Sequence, residues 1–149
     1  MIESPPREAG IATLRVGDKL WNYLPRIART IRVPPSMMLG SWMGTDFTND
    51  DLVKESSYRR DFATRVEGRS ADPAGWLLVS EVRPGVVGRW ARIETVVSDD
   101  GTLPLVMRFF DRRARLARTI VYDSVRSMGG RRIPTRMRLV PADDEDRRT

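Results

Sequence analysis

The chain contains no cysteine and no histidine. Without cysteine there is no disulfide and no thiolate nucleophile, and the redox state of the compartment leaves no mark on the sequence. Without histidine the usual general base at neutral pH, the usual zinc ligand and every Ser-His-Asp or Cys-His triad are gone. Lysine is nearly missing too: Lys19 and Lys54 stand alone, and neither sits in a motif that would activate it. The expectation is a protein that is not an enzyme. A small enzyme using carboxylates such as Asp46, Asp50 or Asp51 is the remaining catalytic alternative, and no pairing of those groups is legible. Long apolar runs are also lacking, so no segment reaches the roughly 18 residues of a membrane-spanning helix. The opening Met1-Ile2-Glu3-Ser4-Pro5-Pro6-Arg7 lacks the basic head and apolar run of a secretory signal. Gly44, Gly129 and Gly130 do not stand in a strand, glycine-rich loop, helix order, so a phosphate cradle is rejected and no cofactor or metal is expected.

What is present is an ordinary folding composition, with 40% hydrophobic and 31% charged residues in 149. That length suits one domain over residues 1–149, with flexible ends at 1–9 and 142–149. Net charge is +6, carried almost wholly by arginine. The arginines are spread along the chain among carboxylates, with pairs at Arg59-Arg60, Arg112-Arg113, Arg131-Arg132 and Arg147-Arg148. Such scatter fits a solvated outer sheet face better than a dedicated groove. A basic binding module for nucleic acid or an anionic membrane surface is kept as an alternative, nucleic acid being the less expected partner.

Turn signals at short intervals predict an antiparallel meander, and the fold class is mainly β with minor α. Strands are expected at Gly10–Val16, Leu20–Leu24 and Arg29–Val33, the last ended by Pro34-Pro35. Ser36 to Phe47 reads as an irregular apolar connector. Thr48 is an N-cap with Asp51 three residues on, opening a short helix through Lys54, and Asp50 and Asp51 suit its positive end. Asp46 is read as pinning the connector to backbone N–H groups. Strands then follow at Tyr58–Val66, Trp76–Val82, Arg89–Val97, Leu105–Phe110, Leu116–Val125 and Arg132–Val140. Asp72-Pro73-Ala74-Gly75, Pro84-Gly85, Asp99-Asp100-Gly101 and Gly129-Gly130 separate them. In the last strand Ile133, Thr135, Met137 and Leu139 share one face, and Arg132, Arg136 and Arg138 the wet one.

The segment Leu20-Trp21-Asn22-Tyr23-Leu24-Pro25, followed by Met43-Gly44-Thr45-Asp46-Phe47-Thr48-Asn49-Asp50-Asp51-Leu52, resembles the outer-membrane lipoprotein-sorting protein family, the LolA-like proteins. Pro84, Pro104-Leu105, Phe110-Asp111 and Gly129-Gly130-Arg131-Arg132-Ile133-Pro134-Thr135 fit the same pattern, so the likeness runs from about Trp21 to Pro141. The resemblance implies a strongly curved antiparallel sheet, a half-open β-barrel with a short helix or lid on its concave side and an apolar cavity beneath. It implies a periplasmic carrier of lipids or lipidated proteins in the bacterial cell envelope, with an inner-membrane exporter as a partner. Members usually have a further N-terminal helical part and further strand, so the chain reads as a fragment of a larger domain.

An acyl-chain carrier needs loosely packed apolar surface, which unbranched, polarizable methionine supplies. Met37, Met38, Trp42, Met43 and Phe47 are therefore the candidate lid or cavity wall. Trp21, Tyr23, Leu77, Val79, Met107 and Phe109 are the candidates on sheet faces. A cluster of this kind is as readily plain core, and the sequence leaves that choice open.

Overall fold

The computed structural model describes residues 1–3, 6–54 and 58–142. The ends expected to be flexible thus fall partly outside the described residues, at Ser4, Pro5 and 143–149. Contacts gather into two compact units, residues 1–58 and 59–149.

The first unit holds a three-stranded antiparallel sheet of β1 (Ala12–Val16), β2 (Lys19–Leu24) and β3 (Arg29–Arg32). Val16 pairs with Lys19 across a two-residue turn in which Gly17 takes the left-handed φ of 61° that glycine accepts without strain. Leu20, 1% exposed, centres this sheet's core. Pro25–Ile27 and Pro35–Met37 form single 3₁₀ turns, because each proline presets the first φ and has no N–H to lose. Helix α1 (Asn49–Lys54) starts as expected. Asp51 accepts from the Thr48 N–H and hydroxyl, both at 2.8 Å, and the Asp51 N–H donates to the Thr48 hydroxyl at 3.1 Å, a reciprocal capping box. Its last carbonyls, on Leu52 and Val53, accept from the Arg15 guanidinium at 3.4 and 3.1 Å, satisfying groups a helix end leaves orphaned.

The second unit is a six-stranded antiparallel meander in sequence order: β4 (Phe62–Ala71), β5 (Ala74–Val82), β6 (Trp90–Val97), β7 (Pro104–Asp111), β8 (Leu116–Met128) and β9 (Arg131–Pro141). It is an open curved sheet, not a closed barrel. One expected strand is corrected: residues Tyr58–Asp61 form a single helical turn, α2, and β4 begins at Phe62. The partner strand ends at Val82, paired with Phe62, and one further backbone bond, from the Arg83 N–H to the Asp61 carbonyl at 2.8 Å, closes the ladder where the helical turn ends. At its other end β4 runs to Ala71, since Ala71 pairs directly with Ala74 and the reversal uses only Asp72 and Pro73.

Side chains of paired residues share a face, so the register sorts the sheet into two. One face carries a line across all six strands, Val66, Leu78, Thr95, Met107, Ile120 and Leu139, each paired with the next. A neighbouring line, Thr64, Ser80, Ile93, Phe109, Arg118 and Pro141, lies on the same face. Its packed centre is Phe109 at 1% exposure and Ile93 at 2%, with Trp90 tilted against Phe109 at a centroid distance of 5.2 Å. The buried Arg118 guanidinium lies 4.5 Å from the centroids of both rings, where the π faces meet its charge. The opposite face carries Arg65 with Glu67 and Glu81, Arg92 with Glu94, and Asp123 with Arg136 and Arg138. Val79, Val96 and Val106 are buried among these charged neighbours, so β7 is covered on both sides as its doubly apolar pattern requires.

In the last hairpin Ile133, Met137 and Leu139 share one face and Arg136 and Arg138 the other, as expected, although Ile133 and Met137 are 39% and 51% exposed. Pairing between β7 and β8 stops at Val106 with Val121, whereas β8 and β9 stay paired out to Met128 with Arg131. Beyond Val121 the hairpin is thus a two-stranded ribbon, and β9, which carries Pro134 and Pro141, is the sheet's edge.

Two substitutions test this packing by urea denaturation. Phe109→Ala is expected to cost about 3–5 kcal/mol with an unchanged m-value. Gly75→Ala should cost about 1–3 kcal/mol, because a β-carbon there would lie inside the van der Waals envelope of the Val97 carbonyl oxygen. A near-neutral Phe109→Ala would mean that the apolar face is loosely filled at its centre.

Candidate functional site

The packed centre does not extend over the whole apolar face. Toward the end of the sheet where the 72–73, 98–103 and 129–130 turns lie, the face opens into a hollow of about 400 Å³ lined by Val66, Trp76, Leu78, Val97 and Gly101. Val66 is 62% and Trp76 40% exposed, large apolar groups left facing solvent. The rim is polar. The Arg69 guanidinium lies 4.7 Å from the Trp76 ring centroid and pairs with Asp99 at 2.6 Å, so an ion pair borders the aromatic wall.

The turn that supplies Gly101 is built around Asp100. Its carboxylate accepts from the Ser98 hydroxyl, from the Thr102 N–H at 3.1 Å and from the Thr102 hydroxyl at 2.8 Å. The Leu103 N–H donates back to the Ser98 hydroxyl oxygen at 3.0 Å, and Leu103 is 3% exposed. Hydrogen bonds to the ionised form, chiefly from Ser98 and then Thr102, hold the Asp100 carboxyl at about 2, below its ordinary 3.8. Gly101 takes a φ of 71°, a left-handed conformation that lets the chain reverse here.

The residues singled out from sequence fall in several places. Met107 lies on the apolar line two pairs from Leu78 and accepts a hydrogen bond at its sulfur from the Tyr122 hydroxyl at 3.2 Å. Phe109 shares that face but is packed solid at 1% exposure. Leu77 and Val79 lie on the opposite face, paired with Val96 and Glu94, so they cannot line one hollow with Met107 and Phe109. Trp21 and Tyr23 share a face of β2 in the first unit, Tyr23 being 41% exposed. The connector residues Met37, Met38, Trp42, Met43 and Phe47 also lie in the first unit.

That connector is more ordered than its sequence implies. The Trp42 N–H donates to the Phe47 carbonyl at 2.6 Å, and the Asn49 side chain, 6% exposed as a residue, donates to the Met37 carbonyl at 3.1 Å. The Trp42 indole N–H donates to the Thr13 hydroxyl at 2.9 Å, which donates to the Asn22 side chain at 2.8 Å. Met37 points outward at 58% exposure, while Met43 takes a left-handed φ of 50°.

Sequence reasoning missed Val66, Trp76, Leu78 and Val97 as a set. In Trp76-Leu77-Leu78-Val79 every position is apolar, so alternation names no inner face. The ladder and its bulge between Val66 and Gly68 decide it. Among the described residues no cluster of three or more acidic side chains could hold a metal ion. No described helix is long and apolar enough to cross a membrane.

A family profile described as "Uncharacterized protein" matches residues 1–149. The chain belongs to that family. A comparison with curated proteins gives no match. Among solved structures, the chain is similar to a DUF1329 family protein from Desulfovibrio piger, with a TM-score of 0.76 at 20% identity over 93% of this chain and 61% of that one. A LolA superfamily protein from Nitrosomonas europaea gives 0.71 at 21% identity over 97% and 64%. A putative outer membrane lipoprotein-sorting protein domain from Vibrio parahaemolyticus gives 0.74 at 18% identity over 93% and 61%. The fold is therefore LolA-like, as the motifs from Trp21 to Pro141 imply, and the chain spans less than two thirds of each of these structures.

The 98–103 turn should respond to acid in one direction. Asp100 titrates near 3.8 when unfolded and near 2 when folded, so its contribution is complete above about pH 4 and lost as pH falls through about 2. The amide resonances of Thr102 and Leu103 are expected to stay fixed from pH 7 to about 4 and to move with a midpoint near 2. Asp100→Ala should abolish that titration, and a midpoint near the ordinary carboxylate value would show the turn to be loosely held.

Proposed function

We propose that this chain is a non-catalytic carrier in the periplasm that shelters the acyl chains of a lipid or lipidated protein against the apolar face of its sheet. The observation that carries the reading is the hollow at Val66, Trp76, Leu78 and Val97. Its size of about 400 Å³ falls within the range of roughly 300–1,000 Å³ common to small-ligand sites, and its lining is almost wholly hydrocarbon. Each methylene moved from water into such a surface contributes about 0.8 kcal/mol, so an acyl chain of about 16 carbons gains on the order of 12 kcal/mol before ordering costs. Transfer then requires no reaction, only a partner surface that binds the chain more tightly. The likeness of the fold to a putative lipoprotein-sorting domain supports the same reading, as does the placing of Met107 and Leu139 along the line that leaves the hollow. Met37, Met38, Trp42, Met43 and Phe47 are proposed as an apolar patch of the first unit, considered by itself, and an inner-membrane exporter as the source of cargo.

The test is binding of a fluorescent fatty acid to the full chain, together with native mass spectrometry of gently purified protein. Leu78→Asp, which sets a carboxylate against the acyl chain, is expected to weaken binding at least about tenfold through its desolvation cost. Glu81→Gln on the charged face should leave binding unchanged. Equal affinity of the Leu78→Asp protein would remove the hollow as the site, and clean apo protein from several hosts would count against the carrier reading itself.

A further inference from the structure

The distal end of the β8–β9 ribbon has a chemistry that the hollow does not use. Residues 124–135, Ser-Val-Arg-Ser-Met-Gly-Gly-Arg-Arg-Ile-Pro-Thr, contain three arginines and no carboxylate. Gly129 and Gly130 both take left-handed φ values, 58° and 76°, as a two-residue turn with φ above zero at both central positions demands. The turn sets Met128 opposite Arg131, with Arg126 opposite Ile133, so one face of the tip holds a checkerboard of Met128, Ile133, Arg126 and Arg131. Met128 is 56%, Val125 41% and Ile133 39% exposed, and all three arginines are exposed. Arg132 has only a long ion pair to Asp100, at 3.9 Å. By contrast Arg136 and Arg138, further down the ribbon, are engaged with Asp123.

We infer that this tip is a docking surface for an anionic phospholipid bilayer, with the arginines at the headgroup phosphates and Met128, Val125 and Ile133 inserted among the first methylenes. Charge complementarity and apolar wedge occur together here, and each argues against another occupant. A nucleic acid would use the arginines but gain nothing from exposed methionine and isoleucine, and the tip has no aromatic ring on which a base could stack. A solvated surface turn would have no reason to expose three large aliphatic groups within ten residues of chain. Ribbon geometry favours insertion as well: the tip has left β7 behind, so its approach to a planar surface is unhindered by the adjacent strand. The tip also lies at the end of the sheet that bears the 72–73 and 98–103 turns beside the hollow. The inference does not depend on what the hollow holds.

Cosedimentation of the full chain with vesicles tests it, comparing phosphatidylcholine alone with equal parts of phosphatidylcholine and phosphatidylglycerol. Binding is expected only to the anionic vesicles. Each arginine replaced by serine should weaken it about fivefold, and the combined R126S/R131S/R132S protein on the order of a hundredfold. Met128→Ser, which leaves the charge intact, should weaken it about fivefold. All four positions are exposed, so circular dichroism should be unchanged and loss of fold is separable from loss of binding. Unchanged affinity in the triple variant overturns the proposal, as does equal binding to neutral vesicles. Tighter binding to a duplex oligonucleotide, dependent on the arginines and indifferent to Met128, would replace it with a nucleic-acid surface.

Discussion

Backbone pairing from β4 to β9 ties Val66, Leu78, Thr95, Met107, Ile120 and Leu139 into one line across the sheet, and the proposed carrier role rests on that register. A slip of one residue in any hairpin would send a whole strand's apolar set to the charged side. The register is pinned by reversals whose lengths leave little freedom: Ala71 meets Ala74 across two residues, Met128 meets Arg131 across two glycines, and the 98–103 turn is closed on Asp100. Gly75 adds a fourth constraint, since only a residue without a side chain allows β5 to approach Val97 so closely.

The same sheet separates two kinds of surface chemistry. On one face arginines and carboxylates interleave along and across strands, so the positive charge is largely neutralised where it stands; Arg136, for instance, holds the Asp123 carboxyl below the usual carboxylate range. On the other face Arg118, the one deeply buried arginine among the described residues, lies against Trp90 and Phe109. Net charge therefore says little about function in this chain, and the positions where cations lack an adjacent carboxylate say more.

Much of this was legible in the residues. Turn chemistry placed nearly every strand, and Thr48 with Asp51 announced the capped helix because that signal is local and made of side chains that bond their own backbone. Motifs spread from Trp21 to Pro141 pointed to the LolA-like fold. What the residues could not disclose was relational. Leu77 and Val79 look as suitable as Trp76 and Leu78 until the partner strand decides which pair faces which side. The helical turn at Tyr58–Asp61 ends where β5 stops, and the exposure of Ile133 and Met137 follows from where β7 stops. The Met and aromatic connector likewise reads as formless, yet Asn49 and Trp42 hold it through backbone carbonyls and Thr13, partners that no spacing rule predicts.

Pro134 and Pro141, near the two ends of the edge strand, have a consequence for the protein's life in a crowded compartment. An edge strand is a template on which a second sheet can grow, and one that also bears exposed Ile133, Met137 and Val140 would be a site for runaway self-association. Each proline lacks a ladder N–H and interrupts that template, and Arg136 and Arg138 set charge between them. An edge so punctuated offers fewer consecutive ladder positions to a second copy than its exposed aliphatic side chains alone would suggest.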